Sequence, residues 1–137
     1  MRALVQRVSY GKVSVDGETT AEIQRGLVIL LGAGHGDGEE QAAFLAEKIA
    51  NLRIFEDAEG KMNLSVRDIG GGAIVVSQFT LYADARKGRR PSFTDAALPE
   101  VARPLVDRFA QLLHDQGVPT GQGEFGAHML VEIHNDG

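Results

Sequence analysis

An α/β fold in one domain is predicted by three features of the sequence. Two short apolar runs, Leu27-Val28-Ile29-Leu30-Leu31 and Ala73-Ile74-Val75-Val76, lack alternation, as strands covered on both faces do. Segments near both ends alternate apolar and polar residues instead. Between them lie two stretches with apolar residues at helical spacing. A chain of 137 residues suits a single domain over 1–137 and can bury about two-thirds of its unfolded surface.

Taken in order, residues 2–8 and 12–15 read as two strands, and Asp16-Gly17 supplies the positive φ values of a tight hairpin turn into Glu18–Ile23. The 27–31 run then belongs near the middle of the sheet. The loop Gly32-Ala33-Gly34-His35-Gly36-Asp37-Gly38 has neither G-x-G-x-x-G spacing nor a Gly-Lys-Ser/Thr ending, so it reads as structural rather than phosphate-binding. Asp37 to Glu40 fits a helix start with its cap and third-position acid, and the helix is expected to bury Leu45, Ile49 and Leu52. After Phe55 the turn Asp57-Ala58-Glu59-Gly60 predicts a hairpin into Met62, Leu64 and Val66.

The 73–76 run leads directly into Ser77-Gln78-Phe79-Thr80-Leu81-Tyr82-Ala83-Asp84. If the strand continues, Gln78, Thr80 and Tyr82 share one face and Phe79 and Leu81 the other. Burying such a polar face costs about 1–3 kcal/mol per unsatisfied group, so it should meet a cleft, a partner chain or a hydrogen-bond network. An ordinary strand end with satisfied polar groups fits the same pattern. Arg86-Lys87-Gly88-Arg89-Arg90 before Pro91 reads as a cationic loop, either solvated surface or a phosphate-neutralising element beside a cleft. The last helix is expected to bury Leu98, Val101, Leu105, Phe109 and Leu112 and to stop at Gly117, with Pro104 demanding a late start or a kink. A loop over 121–126 precedes a closing strand carrying Met129, Val131 and Ile133.

Composition narrows the chemistry. With no cysteine there is no disulfide framework, thiol nucleophile or thiolate metal site. Neither a membrane span nor a signal-peptide core is legible, which predicts a cytosolic protein. A net charge of −5 argues against indiscriminate nucleic-acid coating but not against a local basic patch. His35, His114, His128 and His134 are scattered without His-Glu-x-x-His spacing, so no metal is expected. Ser77 and Ser92 lie outside any G-x-S-x-G elbow. What is left is hydroxyls, amides and glycine-rich turns, a set suited to binding and backbone-mediated catalysis without a cofactor.

Six ordered blocks carry a resemblance to a known family: Met1-Arg2-Ala3-Leu4-Val5-Gln6-Arg7-Val8, Asn51-Leu52-Arg53-Ile54-Phe55-Glu56-Asp57, Lys61-Met62-Asn63-Leu64-Ser65-Val66, the 77–84 segment, Arg86-Lys87-Gly88-Arg89-Arg90-Pro91-Ser92-Phe93, and Phe125-Gly126-Ala127 through Asn135-Asp136-Gly137. Over nearly its whole length the sequence resembles the D-aminoacyl-tRNA deacylases. The resemblance implies layered β-sheets with helices packed on one side, a cytoplasmic homodimer, and hydrolysis of the ester joining a D-amino acid to tRNA. Glycyl-tRNA mischarged on tRNA(Ala) is a further candidate substrate.

By the same resemblance the 3′-terminal adenosine at the acceptor end of aminoacyl-tRNA enters a pocket at the subunit interface, lined by Ser77, Gln78, Phe79 and Thr80. The Phe79 N–H is implied as oxyanion donor and the ribose 2′-hydroxyl as assistant. Thr80 stays a catalytic candidate because its position has been viewed as a nucleophile. Arg86, Lys87, Arg89 and Arg90 are implied as tRNA contacts. The family continues Asn-Asp-Gly with a proline that forms a chirality filter in the partner's pocket. Here only Gly137 can be carried over, as a substrate-binding residue. His128 stands where the family commonly has Asp, and is expected to change local charge without touching the pocket. Two rival readings are a non-catalytic RNA-binding homodimer and a general small-ester hydrolase using Thr80 or Ser77.

Overall fold

A computed structural model describes residues 1–137. One sheet carries most of the fold, in the strand order 18–23, 2–15, 26–32, 72–77 and 120–122, with 129–135 added to 2–15. Its first strand, β1 (Arg2–Val15), is continuous where two strands were expected. Gly11 is the reason: it does not break the strand, because the missing side chain makes room for Val28, whose Cγ2 would lie 2.8 Å from an added Cβ. The turn at Asp16 (φ 51°) and Gly17 (φ 80°) returns the chain into β2 (Glu18–Ile23), antiparallel to β1.

The apolar run forms β3 (Gly26–Gly32), antiparallel to β1 and buried on both faces apart from partly exposed Leu30. After it, α1 (Glu39–Ala50) buries Ala42, Ala46, Ile49 and Ala50, while Leu45 and Leu52 sit at the rim of the core. The helix cap is Gly38, whose N–H donates to Gln41 Oε1 at 2.9 Å, and not Asp37 as expected. Asp37 is engaged elsewhere. The hairpin of β4 (Phe55–Glu56) and β5 (Met62–Leu64) forms a separate small sheet.

Strand β6 (Gly72–Ser77) runs parallel to β3, with Gly26 opposite Gly72 and Leu31 opposite Ser77. The last helix, α2 (Pro99–Asp115), passes through Pro104 without ending. Pro104 and Glu100 are both exposed, so water can satisfy the Glu100 carbonyl that loses its helical partner. The buried stripe is Ala102, Val106, Phe109, Ala110 and Leu113, displaced from the expected one. Leu105 and Leu112 flank it, and Leu98 and Val101 face outward. Part of the expected 121–126 loop is a strand, β7 (Thr120–Gln122), parallel to β6. Finally β8 (Met129–Asn135) pairs antiparallel with the second half of β1.

Two cores lie on opposite faces of the central strands. Leu27, Ile29 and Leu31 of β3 and Ala73 and Val75 of β6 pack with both helices around Phe55 and Phe109. Ile74 and Val76 face the other way, onto Val13 and Ala21 of the β1-β2 hairpin, with Leu30, Met129 and Val131 around them. Strand alternation thus produces the layering, with one part of the six-stranded sheet folded over another on one face of the central strands and both helices on the other.

Candidate active site

Where β3 and β6 end side by side, a cleft of about 570 Å³ opens, lined by 20 residues. Ligands in open sheets with parallel strands commonly bind at the carboxyl ends of those strands. Leu31, Val76, Ala97, Ala102 and Val106 make most of the floor and wall apolar. Ser77 and Gln78 supply polar groups at the end of β6, and residues 125–129 close the far side. An apolar cleft with a few convergent polar groups is the usual form of a small-molecule site.

Past Ser77 the chain does not remain extended. Residues Phe79–Tyr82 form a single 3₁₀ turn, so the expected division of Gln78, Thr80 and Tyr82 from Phe79 and Leu81 does not occur. The last tie to β3 is Gln78 N–H to the Leu31 carbonyl, 2.8 Å. Beyond it β3 has ended at Gly32, and with no neighbour to pair with, the backbone coils. The first bond of the turn runs from Leu81 N–H to the Gln78 carbonyl at 3.3 Å. Phe79 and Thr80 N–H come before it and take no carbonyl of the turn, as the opening donors of any helical turn do. The Phe79 ring, 54% exposed, meets Phe93 edge-on with centroids 5.1 Å apart. Gln78 Nε2 donates to the Thr80 hydroxyl.

Behind the turn, Tyr82 lies against the β3 terminus. Arg2 Nη1 donates to the Leu81 carbonyl at 2.8 Å, and its guanidinium sits 4.3 Å from the centre of the Tyr82 ring. Tyr82 donates to Asp37 Oδ2 at 3.5 Å; burial first and the Asp37 charge second raise its pKa. Asp37 also accepts from Gly34 N–H at 2.7 Å and pairs with the Met1 ammonium at 2.5 Å. Burial pushes the Asp37 carboxyl up, but the ammonium, Gly34 N–H and Tyr82 hydroxyl together bring it below the usual range.

The basic segment is a loop closed at its base by Asp84 and Ser92, which exchange backbone hydrogen bonds of 2.8 and 2.9 Å. Gly88 turns it with φ 70°. Arg86 is committed within the loop: its Nε and Nη2 reach the two Asp84 oxygens at 2.9 and 2.7 Å. This pairing holds the Asp84 carboxyl below its ordinary pKa and raises that of Arg86. Lys87, Arg89 and Arg90 are exposed, and no ion pair engages them.

Gly137 does not line the cleft of its own chain. It lies at Arg7, whose Nε donates to the Asp136 carbonyl at 2.9 Å and whose Nη1 donates to the Ile54 carbonyl at 2.5 Å. His128, expected clear of the pocket, is instead one of the lining residues and the only titratable side chain among them. Strand alternation would place His128 opposite Met129 and Val131, which share the cleft face; it reaches the cleft because it lies in the loop before β8, which begins at Met129. Phe93 and Phe125 were also missed as wall residues, since aromatic side chains in loops carry no periodic signal.

A family model described as D-Tyr-tRNA(Tyr) deacylase matches residues 4–137. Proteins named D-aminoacyl-tRNA deacylase from Roseiflexus castenholzii and Heliobacterium modesticaldum are 61% and 60% identical over 137 residues, which is 100% of this chain and 87% and 91% of theirs. Among solved structures, one described as c-Myc DNA Unwinding Element Binding Protein superposes with a TM-score of 0.91 at 38% identity, covering 99% of this chain and 93% of that one. Another, described as a probable eukaryotic D-amino acid tRNA deacylase, has a TM-score of 0.81 at 18% identity, over 98% and 94% of the two chains, and shares the fold.

Proposed function

This chain belongs to the D-Tyr-tRNA(Tyr) deacylase family and hydrolyses D-aminoacyl-tRNA, and from that premise we propose that the cleft at the ends of β3 and β6 receives the aminoacylated 3′-terminal adenosine. The observation that carries this reading is the Phe79 N–H, which opens the 79–82 turn at the cleft without a carbonyl partner in that turn. Water adds to the ester carbonyl, the developing oxyanion takes the Phe79 N–H, and the C–O bond to the ribose 3′-oxygen breaks. The 3′-oxygen leaves with a proton, and the neighbouring 2′-hydroxyl of the tRNA assists the transfer. A preorganised oxyanion donor contributes about 2.7–4 kcal/mol to such a step. An aminoacyl ester is already activated, so positioning and one or two donors suffice without a protein nucleophile or cofactor.

Ser77 and Gln78 bind the substrate at the end of β6, and Thr80 helps to place it. Lys87, Arg89 and Arg90 meet tRNA phosphates, with Arg86 shaping their loop. Two chains form a homodimer in which Gly137 of each serves the other's cleft, and the enzyme works in the cytoplasm. Supporting the partner-directed role is the distance of Gly137 from its own cleft, at Arg7. A second reading, nucleic-acid binding without catalysis, draws on the cationic loop and on the DNA-binding name of the 38%-identical solved relative.

Matched D- and L-aminoacyl-tRNA separate these readings. The D-form should be deacylated and the L-form spared, and simple esters without RNA should not turn over. Binding with no release of amino acid would replace the enzyme reading by the second one. Equal hydrolysis of both forms would remove chirality from the proposed pocket.

A further inference from the structure

Gly32 and Gly34 are not glycines for conformational reasons, since neither has a positive φ. They are glycines because Tyr82 occupies the space. A Cβ on Gly34 would lie 2.7 Å from the Tyr82 hydroxyl oxygen and 2.8 Å from two ring carbons. On Gly32 it would lie 2.9 Å from the Gln78 carbonyl oxygen and 3.2 and 3.3 Å from ring carbons. Arg2 lies over the ring and holds the Leu81 carbonyl. Gly32 and Gly34 thus form a fitted seat for one aromatic side chain.

A four-residue 3₁₀ turn is poorly rigid by itself, yet an oxyanion donor must be held to within about 0.5 Å of its productive place. We propose that Tyr82 is a positioning residue for deacylation: seated on Gly32 and Gly34 beneath Arg2, its ring fixes the backbone of the 79–82 turn and so aims the Phe79 N–H into the cleft. The inference rests on the reading of that N–H as the oxyanion donor. It concerns the ring rather than the hydroxyl, whose contact with Asp37 is long at 3.5 Å. A tyrosine that merely filled the core would affect stability and binding without selectively slowing chemistry.

The test is a double-mutant cycle in the whole 137-residue chain, read in single-turnover deacylation of D-tyrosyl-tRNA at saturating enzyme. Tyr82→Ala should lower the rate about 10–100-fold, as a misplacement near 1 Å does. Affinity for tRNA carrying D-tyrosine through an amide instead of an ester should stay within about threefold, because that binding does not draw on a transition-state donor. Tyr82→Phe should restore most of the rate, and Gly34→Ala, which displaces the ring, should reproduce the loss. The second arm replaces the Phe79 peptide N–H by an ester oxygen, introduced as the hydroxy-acid analogue. In that background Tyr82→Ala should cost nothing further, since residues acting through one group are not additive. Full additivity would overturn the positioning role of Tyr82 while leaving the Phe79 reading intact. An ester-substituted chain with unchanged rate would instead overturn the Phe79 reading and this inference with it. Parallel losses of rate and affinity, or no rescue by Tyr82→Phe, would make Tyr82 a packing residue only.

Discussion

Thr80, expected to line the cleft, is not among its lining residues, and nothing around its hydroxyl would turn it into a nucleophile. Its oxygen is occupied by the Gln78 amide, which in either orientation is not a base able to remove a proton. The only titratable side chain lining the cleft is His128, on the far wall with residues 125–129. An unassisted hydroxyl is a poor nucleophile near neutral pH, whereas a backbone donor aimed at the oxyanion needs no activation. Thr80→Ala should therefore slow single-turnover deacylation by about tenfold or less, against the 10²–10³ typical of losing an oxyanion donor. A substrate ending in 2′-deoxyadenosine should react more slowly than Thr80→Ala does with the normal one. Trapping an acyl group on Thr80, or normal reaction of the deoxy substrate, would put covalent catalysis in place of the RNA-assisted route. At this scale the sequence revealed which residues gather at the end of β6 but not their conformation. Alternation was extended past Ser77, whereas β3 stops at Gly32 and leaves Phe79 without a ladder to join.

Among the elements, the loop between Asp84 and Ser92 divides a run of like charges into one cation that builds the loop and three that are unpaired. Arg86 spends its Nε and Nη2 on Asp84, whereas Lys87, Arg89 and Arg90 carry no ion pair; in the proposed complex these three track phosphates without reading bases. Each cation withdrawn from a phosphate flattens the dependence of log affinity on log salt by about 0.7–0.9. Replacing Lys87, Arg89 and Arg90 together by Ala should accordingly weaken tRNA binding at low salt and reduce the slope by about two. Arg86→Ala alone should reduce it by less than one. If the triple replacement changes neither affinity nor slope, the loop is solvated surface. The loop was legible because Gly88 and Pro91 punctuate it; the Asp84 clasp was not, since it depends on a backbone bridge to Ser92. Similar limits explain the other differences among the elements. Thr120-Gly121-Gln122 has no apolar signature, and β7 exists only because β6 offers it an edge. Apart from Phe109 the stripe of α2 was misplaced because large residues were weighted over Ala102 and Ala110, whose small size suits close packing in the core and against Ala33 and Ala97.

At the scale of the whole molecule, the layers were legible because unalternated apolar runs at 27–31 and 73–76 require cover on both faces, which the helices and the β1-β2 hairpin supply. What covers the mouth of the cleft could not be read from the pattern, because one chain leaves apolar side chains exposed there. Phe79 (54%) and Leu98 (65%) line the cleft and remain largely exposed, with Val101 (46%) one turn along α2 from Leu98. An apolar patch beside a binding cleft is a usual mark of an interface. A second chain would exclude water from the mouth, strengthen the Phe79 N–H toward the developing charge, and bring its Gly137 to a cleft that its own chain does not reach with it. A stable contact of this kind should bury about 1,000 Å² or more in total. Sedimentation at micromolar concentration should give about twice the 14.7 kDa of one chain. Dilution below the dimer dissociation constant should lower deacylation per chain in step with the loss of dimer, because in the proposed dimer each cleft is completed by the other chain. A monomer at micromolar concentration, or activity per chain that does not follow the dimer fraction, would mean that one chain completes the site alone.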